Sequence, residues 1–184
     1  MSVSFNTPIG TLNYTFITGE GRDNLSGVAQ YSTQLVLTEE EAKPLLDVIN
    51  SVWAESGIKK QPKSFGYKTL EDGTLAFNFK TNVDGKFGRT KVKVYDSKGK
   101  EADFSNIMIG NGTQGRIGGT AAIYDQPAQS GVTLYLNKIQ IIKLEVYEGS
   151  GEDFGAVEGG YEFQDEFTAS NNDHTDSKPS LKRF

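Results

Sequence analysis

The chain is 184 residues long, carries a formal net charge of −5, and contains no cysteine and a single histidine. Disulfides and thiolate metal sites are thereby excluded, and His174, in the polar run NNDHTDSKP, leaves Ser-His, Cys-His and His-zinc chemistry almost nothing to work with. The length suits one domain with a tail, and the 21 glycines, 8 tyrosines and 11 phenylalanines favour a β-rich fold with tight turns.

The start, MSVSFNTPIG, has neither a basic region nor an apolar run, and no stretch reaches membrane-spanning length; a soluble protein with no membrane partner is expected. The first predicted strand is TLNYTFIT, with Leu12, Tyr14 and Phe16 alternating onto one face. The loop GEGRDNLSG leads to a second strand, AQYSTQLVLT, through Tyr31, Thr33, Leu35 and Leu37. In TEEEAKPLLDVINSVWAESG, Thr38 and Glu41 form a capping box, and Leu45, Val48, Ile49, Val52 and Trp53 recur at helical spacing. Pro44 conflicts with a cap at Thr38, so either the first turn is separate or the regular helix starts near Lys43; Gly57 ends it.

After the basic loop GIKKQPKSFGYK come TLAFNFKTN, which places Leu75, Phe77 and Phe79 on one face, and RTKVKVYD. Phe77 and Phe79 are read as core. The last two predicted strands are GRIGGTAAIY and GVTLYLNKIQIIKLEVY, and in the latter the apolar positions change parity, which implies a bulge near Asn137 and Lys138. Five or six strands and one helix predict a mainly β fold, an OB-like β-barrel, with a jelly roll or sandwich as the alternative.

The net charge hides an asymmetry. Residues 148–184 hold nine acids against three cations, whereas residues 59–100 hold eleven cations against four acids. A barrel domain over 1–148 and an acidic tail over 149–184 are expected, the tail too poor in aliphatic residues to bury a core and hence disordered. Its aromatics suit docking onto a basic partner, so Glu152, Asp153, Phe154, Tyr161, Phe163, Asp165, Glu166, Phe167 and Phe184 are candidate partner-binding residues.

Gly110, Gly112 and Gly115 spell G-x-G-x-x-G, the dinucleotide-binding spacing, but the following RIGGTAAIY is poor helix material. A phosphate-binding helix is missing, and a glycine turn feeding a strand is the better reading. RTKVKVYD is more informative. As a strand it places Thr90, Val92 and Val94 on one side and Arg89, Lys91, Lys93 and Tyr95 on the other. With Lys59, Lys60, Lys63 and Tyr67 before it and Lys80, Lys86 and Phe87 beside it, cations interleave with rings, the pattern that tracks phosphates and stacks unpaired bases. Arg116, sharing its face with Thr120 and Tyr124 among open glycines, completes the candidate set for single-stranded nucleic acid.

The segments EDGTLAFNFK, VYDSKGK, IMIGNG and GVTLYLNKIQIIKLEVYEGSGEDF, with weaker likeness in FNTPIGTLNY and GVAQYSTQLVL, make the chain resemble the single-stranded DNA-binding proteins of short-tailed bacteriophages. That resemblance implies an OB fold, non-enzymatic and non-sequence-specific coating of single-stranded DNA in replication, recombination and repair, promotion of annealing, and work in the cytoplasm of an infected bacterium. It also implies a tail that competes with DNA for the groove and contacts phage DNA polymerase and helicase-primase. The run SKPSLKRF is basic where the family is usually acidic. No cofactor and no metal are expected, a homodimer is left open, and a β-rich virion structural or decoration protein is the alternative reading.

Overall fold

The structure is a computed structural model and describes residues 2–146. The candidate tail residues from Glu152 to Phe184 lie outside the described residues. In chain order the elements are β1 (Ser2–Asn6), β2 (Gly10–Phe16), β3 (Arg22–Asp23), β4 (Ala29–Leu37), α1 (Glu39–Ser56), β5 (Tyr67–Thr69) and β6 (Leu75–Asn82), then β7 (Asp84–Gly85), β8 (Gly88–Arg89), β9 (Lys93–Tyr95), β10 (Thr113–Asp125) and β11 (Ser130–Lys143).

Period-two alternation dictates the architecture. In β4, Tyr31, Thr33, Leu35 and Leu37 are buried while the residues between them are not, and such a one-sided sheet must close on itself or pack against a second layer. It does the former. β2, β4, β6 and β11 follow one another in the sheet, and β10 pairs with both β11 and β2, which closes a barrel of five strands. β6 and β11 run parallel, with Leu134 opposite Phe79 and Tyr135 opposite Lys80. Leu12, Leu35, Phe77, Phe79, Ile117, Leu134 and Ile139 fill the interior, each with 2% exposure or less. This is the OB topology that the alternation predicts, and Phe77 and Phe79 are core as expected.

α1 connects the second and third barrel strands. Thr38 Oγ1 accepts from the Glu41 N–H at 3.2 Å and Glu41 Oε2 accepts from the Thr38 N–H at 3.0 Å, completing the capping box. Ala42, Leu45, Ile49 and Val52 turn inward, and Gly57 ends the helix in the left-handed region at φ 69°. The helix runs unbroken through Pro44, so neither a separate first turn nor a start near Lys43 is correct. Proline removes only the hydrogen bond to the Glu40 carbonyl, near the helix start, where the cap and three glutamates already stabilise the turn.

Three strands depart from the sequence reading. β1, whose alternation is masked because Ser2, Val3, Ser4 and Asn6 are all exposed, was not foreseen; it pairs along β10 and packs Phe5 on Phe79 at 6.1 Å. In β2, Leu12 is buried but Tyr14 is 59% exposed, so Leu12, Tyr14 and Phe16 do not share an inward face. The cause is a register shift between Asn13 and Phe16 with Tyr14 at φ 51°, held by a Tyr14 N–H donating to Asn111 Oδ1 at 2.8 Å. Finally, RTKVKVYD is not one strand. Arg89 closes the β7–β8 hairpin, the Thr90 N–H bonds back to the Val83 carbonyl at 2.7 Å, and pairing resumes only at Lys93, where β9 joins β11. The predicted unbroken row Arg89, Lys91, Lys93, Tyr95 is therefore divided. The parity change in β11 is present as expected, with Gly119 opposite Leu136 but Gly118 opposite Lys138.

Candidate nucleic-acid interface

Outward-facing residues of neighbouring strands line up across the barrel. Phe16 is registered with Ser32, Ser32 with Lys80, Lys80 with Tyr135, and Tyr135 with Thr120. This row contains a cation, two rings and small hydroxyls. The rows on either side are carboxamides: Gln30 donates to Asn82 Oδ1 at 2.8 Å and Gln34 to Asn78 Oδ1 at 3.4 Å. Between Gln30 and Gln34 on β4, and between Asn78 and Asn82 on β6, no acidic residue occurs. A phosphate chain lying there meets Lys80 without a competing carboxylate on either strand.

A groove of about 730 Å³ opens along the row, lined by Lys63, Tyr67, Lys68, Lys80, Tyr124 and Tyr135 among others. Its wall is the segment after Pro62. The Lys63 N–H donates to the Ser130 carbonyl at 2.7 Å and the Val132 N–H to the Ser64 carbonyl at 2.9 Å, stitching that segment to the start of β11. Lys63 Nζ is steadied by Gln129 Oε1 at 2.6 Å. Tyr124 faces Gly131 across the β10–β11 ladder, and a Cβ at Gly131 would stand 2.6 Å from Tyr124 Oη and closer still to the Ser64 carbonyl oxygen. Glycine there lets the ring lie flat against the sheet. At the β2 end of the row, the Arg22 guanidinium sits 3.9 Å from the centre of the Phe16 ring.

OB barrels bind oligonucleotides on the face of their second and third strands and with the loops joining strands 1–2 and 4–5. Here those strands are β4 and β6, and Arg22 and Gln129 lie on the two loops. The fold is shared with phage single-stranded DNA-binding proteins. Gp2.5, a single-stranded DNA-binding protein encoded by bacteriophage T7, superposes with a TM-score of 0.66 at 21% identity, over 89% of this chain and 100% of that one. The single-stranded DNA-binding protein of bacteriophage Enc34 in complex with ssDNA gives 0.63 at 11% identity, over 79% of this chain and 89% of that one. Its C-terminally truncated form gives 0.62 at 11% identity, over 77% and 86%. No family model and no curated protein sequence matches the chain.

The other predicted cations are dispersed. Lys59 is exposed just after α1, and Lys60 is paired with Asp125 at 2.9 Å. Lys86 and Phe87 form the tip of the β7–β8 hairpin, where Phe87 is 96% exposed and the Lys86 ammonium lies 5.6 Å from the ring centre. Arg89 is paired with Glu20 at 3.0 Å. Lys91 faces Glu101 at 3.8 Å in a separate groove of about 770 Å³ that also holds Asp103, whose carboxyl the Ser105 hydroxyl and N–H keep below its ordinary range, with a smaller contribution from Lys91. Lys93, Tyr95 and Arg116 lie further along β11, where β9 and β10 flank it.

Of the thirteen sequence candidates, Lys63, Tyr67, Lys80 and Tyr124 therefore converge on one groove. Phe16, Arg22, Lys68 and Tyr135 join that face and were not selected from sequence. Tyr135 carried a usable signal, since it is the one polar-tipped ring among aliphatics in GVTLYL and points away from Leu134 and Leu136. Among the described residues, no group of three or more His, Cys, Asp or Glu side chains is placed to hold a metal ion, and no helix is long and apolar enough to cross a membrane.

Proposed function

We propose that the protein binds single-stranded DNA without sequence specificity and acts by coating it, as a phage replication, recombination and repair factor in the host cytoplasm, rather than by catalysis. The observation that carries this reading is the acid-free row Phe16–Ser32–Lys80–Tyr135 and the tyrosine- and lysine-lined groove along it. Lys63, Lys68 and Lys80 follow phosphates; Tyr67, Tyr124, Tyr135 and Phe16 offer faces to unpaired bases. Lys59, Lys60, Lys86, Arg89 and Lys91, which do not line that groove, contribute a peripheral positive field, reduced at Lys60, Arg89 and Lys91 by their acidic partners, and Phe87 stands apart with Lys86 at the hairpin tip. The side chains that reach the strand are two-faced rings and flexible cations, which suit any base.

The acidic segment 148–166 is a tethered polyanion and competes with DNA for the same cations at high effective concentration. Promotion of annealing and contacts of the tail aromatics with DNA polymerase and helicase-primase belong to the same proposal. Protection of oligothymidylate from a single-strand nuclease tests the coating role: protection rising with protein concentration supports it, and digestion at the rate of naked DNA under saturating protein sinks it.

A further inference from the structure

Past the bulge at Asn137, the outward face of β11 continues to Lys138 and Gln140, beyond the groove just described. Lys93 is registered directly opposite Lys138, and Tyr95 opposite Gln140; on the other flank Gly118 faces Lys138 and Arg116 faces Gln140. Two lysines directly opposite each other in a ladder repel. Among the described residues, no carboxylate lies within ion-pair distance of Lys93, Lys138 or Arg116, in contrast to the partners of Lys60, Arg89 and Lys91. Three cations thus stand close together and, among the described residues, none of them is ion-paired.

Two of them are also held in position. Arg116 Nε donates to Gln140 Oε1 at 2.6 Å, and Gln140 Nε2 donates to the carbonyls of Asp96 at 3.0 Å and Ser97 at 3.3 Å, which fixes the plane of the guanidinium. A Cβ at Gly118 would stand 2.5 Å from Lys138 Cε and 2.6 Å from its Cγ, so the lysine stem lies across the glycine. Arg116, Gly118, Lys138 and Gln140 line a depression of about 290 Å³ together with Tyr95, and Lys93 stands beside it, opposite Lys138. A fixed fork, a laid-down lysine and a ring match a phosphate diester backbone with an adjoining base.

We propose that Lys93, Lys138 and Arg116, with Tyr95, form a second contact segment for the polynucleotide that occupies the Lys80–Tyr135 groove, so that the strand runs along β11 instead of ending at the groove. The inference rests on the proposed binding face. It assigns Lys138 a phosphate contact and makes Gly118 a positioning residue for it.

The test compares oligothymidylates of about 6 and about 20 nucleotides, one near the lower end of the range of OB site sizes and one beyond its upper end, with the full chain and the double variant Arg116→Ala/Lys138→Ala. On the long oligonucleotide the variant loses affinity on the order of tenfold, and its salt slope falls by about 1.4, roughly 0.7 for each phosphate contact; on the short one neither changes. Equal losses on both lengths, or none on either, overturn the second segment. If the wild type instead binds two short oligonucleotides per chain and the variant one, the patch holds a separate strand and the continuity is wrong. Gly118→Val keeps the charge but displaces the lysine stem; weakened binding of the long oligonucleotide alone is expected, and unchanged binding overturns the positioning role. Should the wild type bind neither length, or Lys80→Ala and Tyr135→Ala leave both unaffected, the groove reading itself fails.

Discussion

Lys80 and Tyr135 stand opposite each other across the parallel β6–β11 ladder, a cation and a 44% exposed ring in register on the barrel's outer face. Phe79 and Leu134, their neighbours in the same ladder, point inward and are fully buried. One strand pair thus supplies both core residues and the outward residues of the proposed interface by alternation alone. The same alternation fixes the side chains, because a strand whose other face is packed cannot rotate or slip without exposing its core residues.

Tyr135→Ala is expected to weaken binding of oligothymidylate by about 1–3 kcal/mol, the range for losing one base-stacking ring. Titration followed by fluorescence anisotropy reads this directly, and Tyr135→Phe should retain most of the affinity. A phenylalanine variant as weak as alanine would assign Tyr135 a hydrogen-bonding role in place of stacking.

Charge removal should discriminate between Lys93 and Lys91. Lys91 lies 3.8 Å from Glu101 and near Asp103, whereas Lys93 stands opposite Lys138. Lys93→Ala should therefore lower the salt slope by about 0.7, the value for one phosphate contact on a single strand, and Lys91→Ala should move it less. A larger effect at Lys91 would relocate the path to the groove beside Arg89.

Gly131 is sterically committed by Tyr124 and the Ser64 carbonyl. Gly131→Ala forces both away, and overpacking of this kind costs roughly 1–3 kcal/mol. Thermal unfolding should show a lowered Tm, with DNA affinity reduced further as the ring and the Lys63 segment shift. An unchanged Tm would mean that the Lys63 segment detaches from β11 at no cost.

Tyr14 occupies the left-handed region at φ 51°, a conformation in which a bulky side chain is strained. Tyr14→Gly should stabilise the fold by about 1 kcal/mol, the lower end of the left-handed penalty for an L residue, and Asn111→Ala should destabilise it by removing the acceptor that holds the Tyr14 N–H. Chemical denaturation measures both. A destabilised Tyr14→Gly would show that contacts of the ring outweigh the strain.

Much of the barrel is legible in the sequence because its determinants are local. Thr38 and Glu41 are three residues apart, Phe77 and Phe79 two, and the parity change at Asn137 is visible within one strand. Long-range partners decide what is not legible. Tyr14 is turned outward by Asn111, 97 positions along the chain, and β1 acquires its pairing only when Ser4 meets Thr120, 116 positions away. RTKVKVYD has perfect strand alternation, yet the Val83 carbonyl captures the Thr90 N–H and breaks it. The proposed binding face behaves likewise. Lys80 stands out as a cation on an alternating strand, but the Phe16, Arg22 and Tyr135 that flank it are assembled by three different ladders. The G-x-G-x-x-G spacing is a glycine turn held to β2, with the Gly112 N–H shared between the Leu12 carbonyl and Asn13 Oδ1, both at 3.1 Å.

If the acidic segment competes with DNA as proposed, removing residues 149–184, which hold eight of the nine acids from position 148 onward, should tighten single-strand binding. Anisotropy of the shortened chain against the full one measures it. Equal or weaker affinity would remove self-competition from the account.

The most direct measurement is a salt titration of the full chain with a labelled oligothymidylate, its duplex counterpart, and the Lys80→Ala/Tyr135→Ala variant. The predicted result is salt-sensitive binding that prefers the single strand and is lost in the variant. Absence of binding at low salt, or equal affinity for duplex and for the variant, would contradict a single-strand interface on the β4–β6–β11 face.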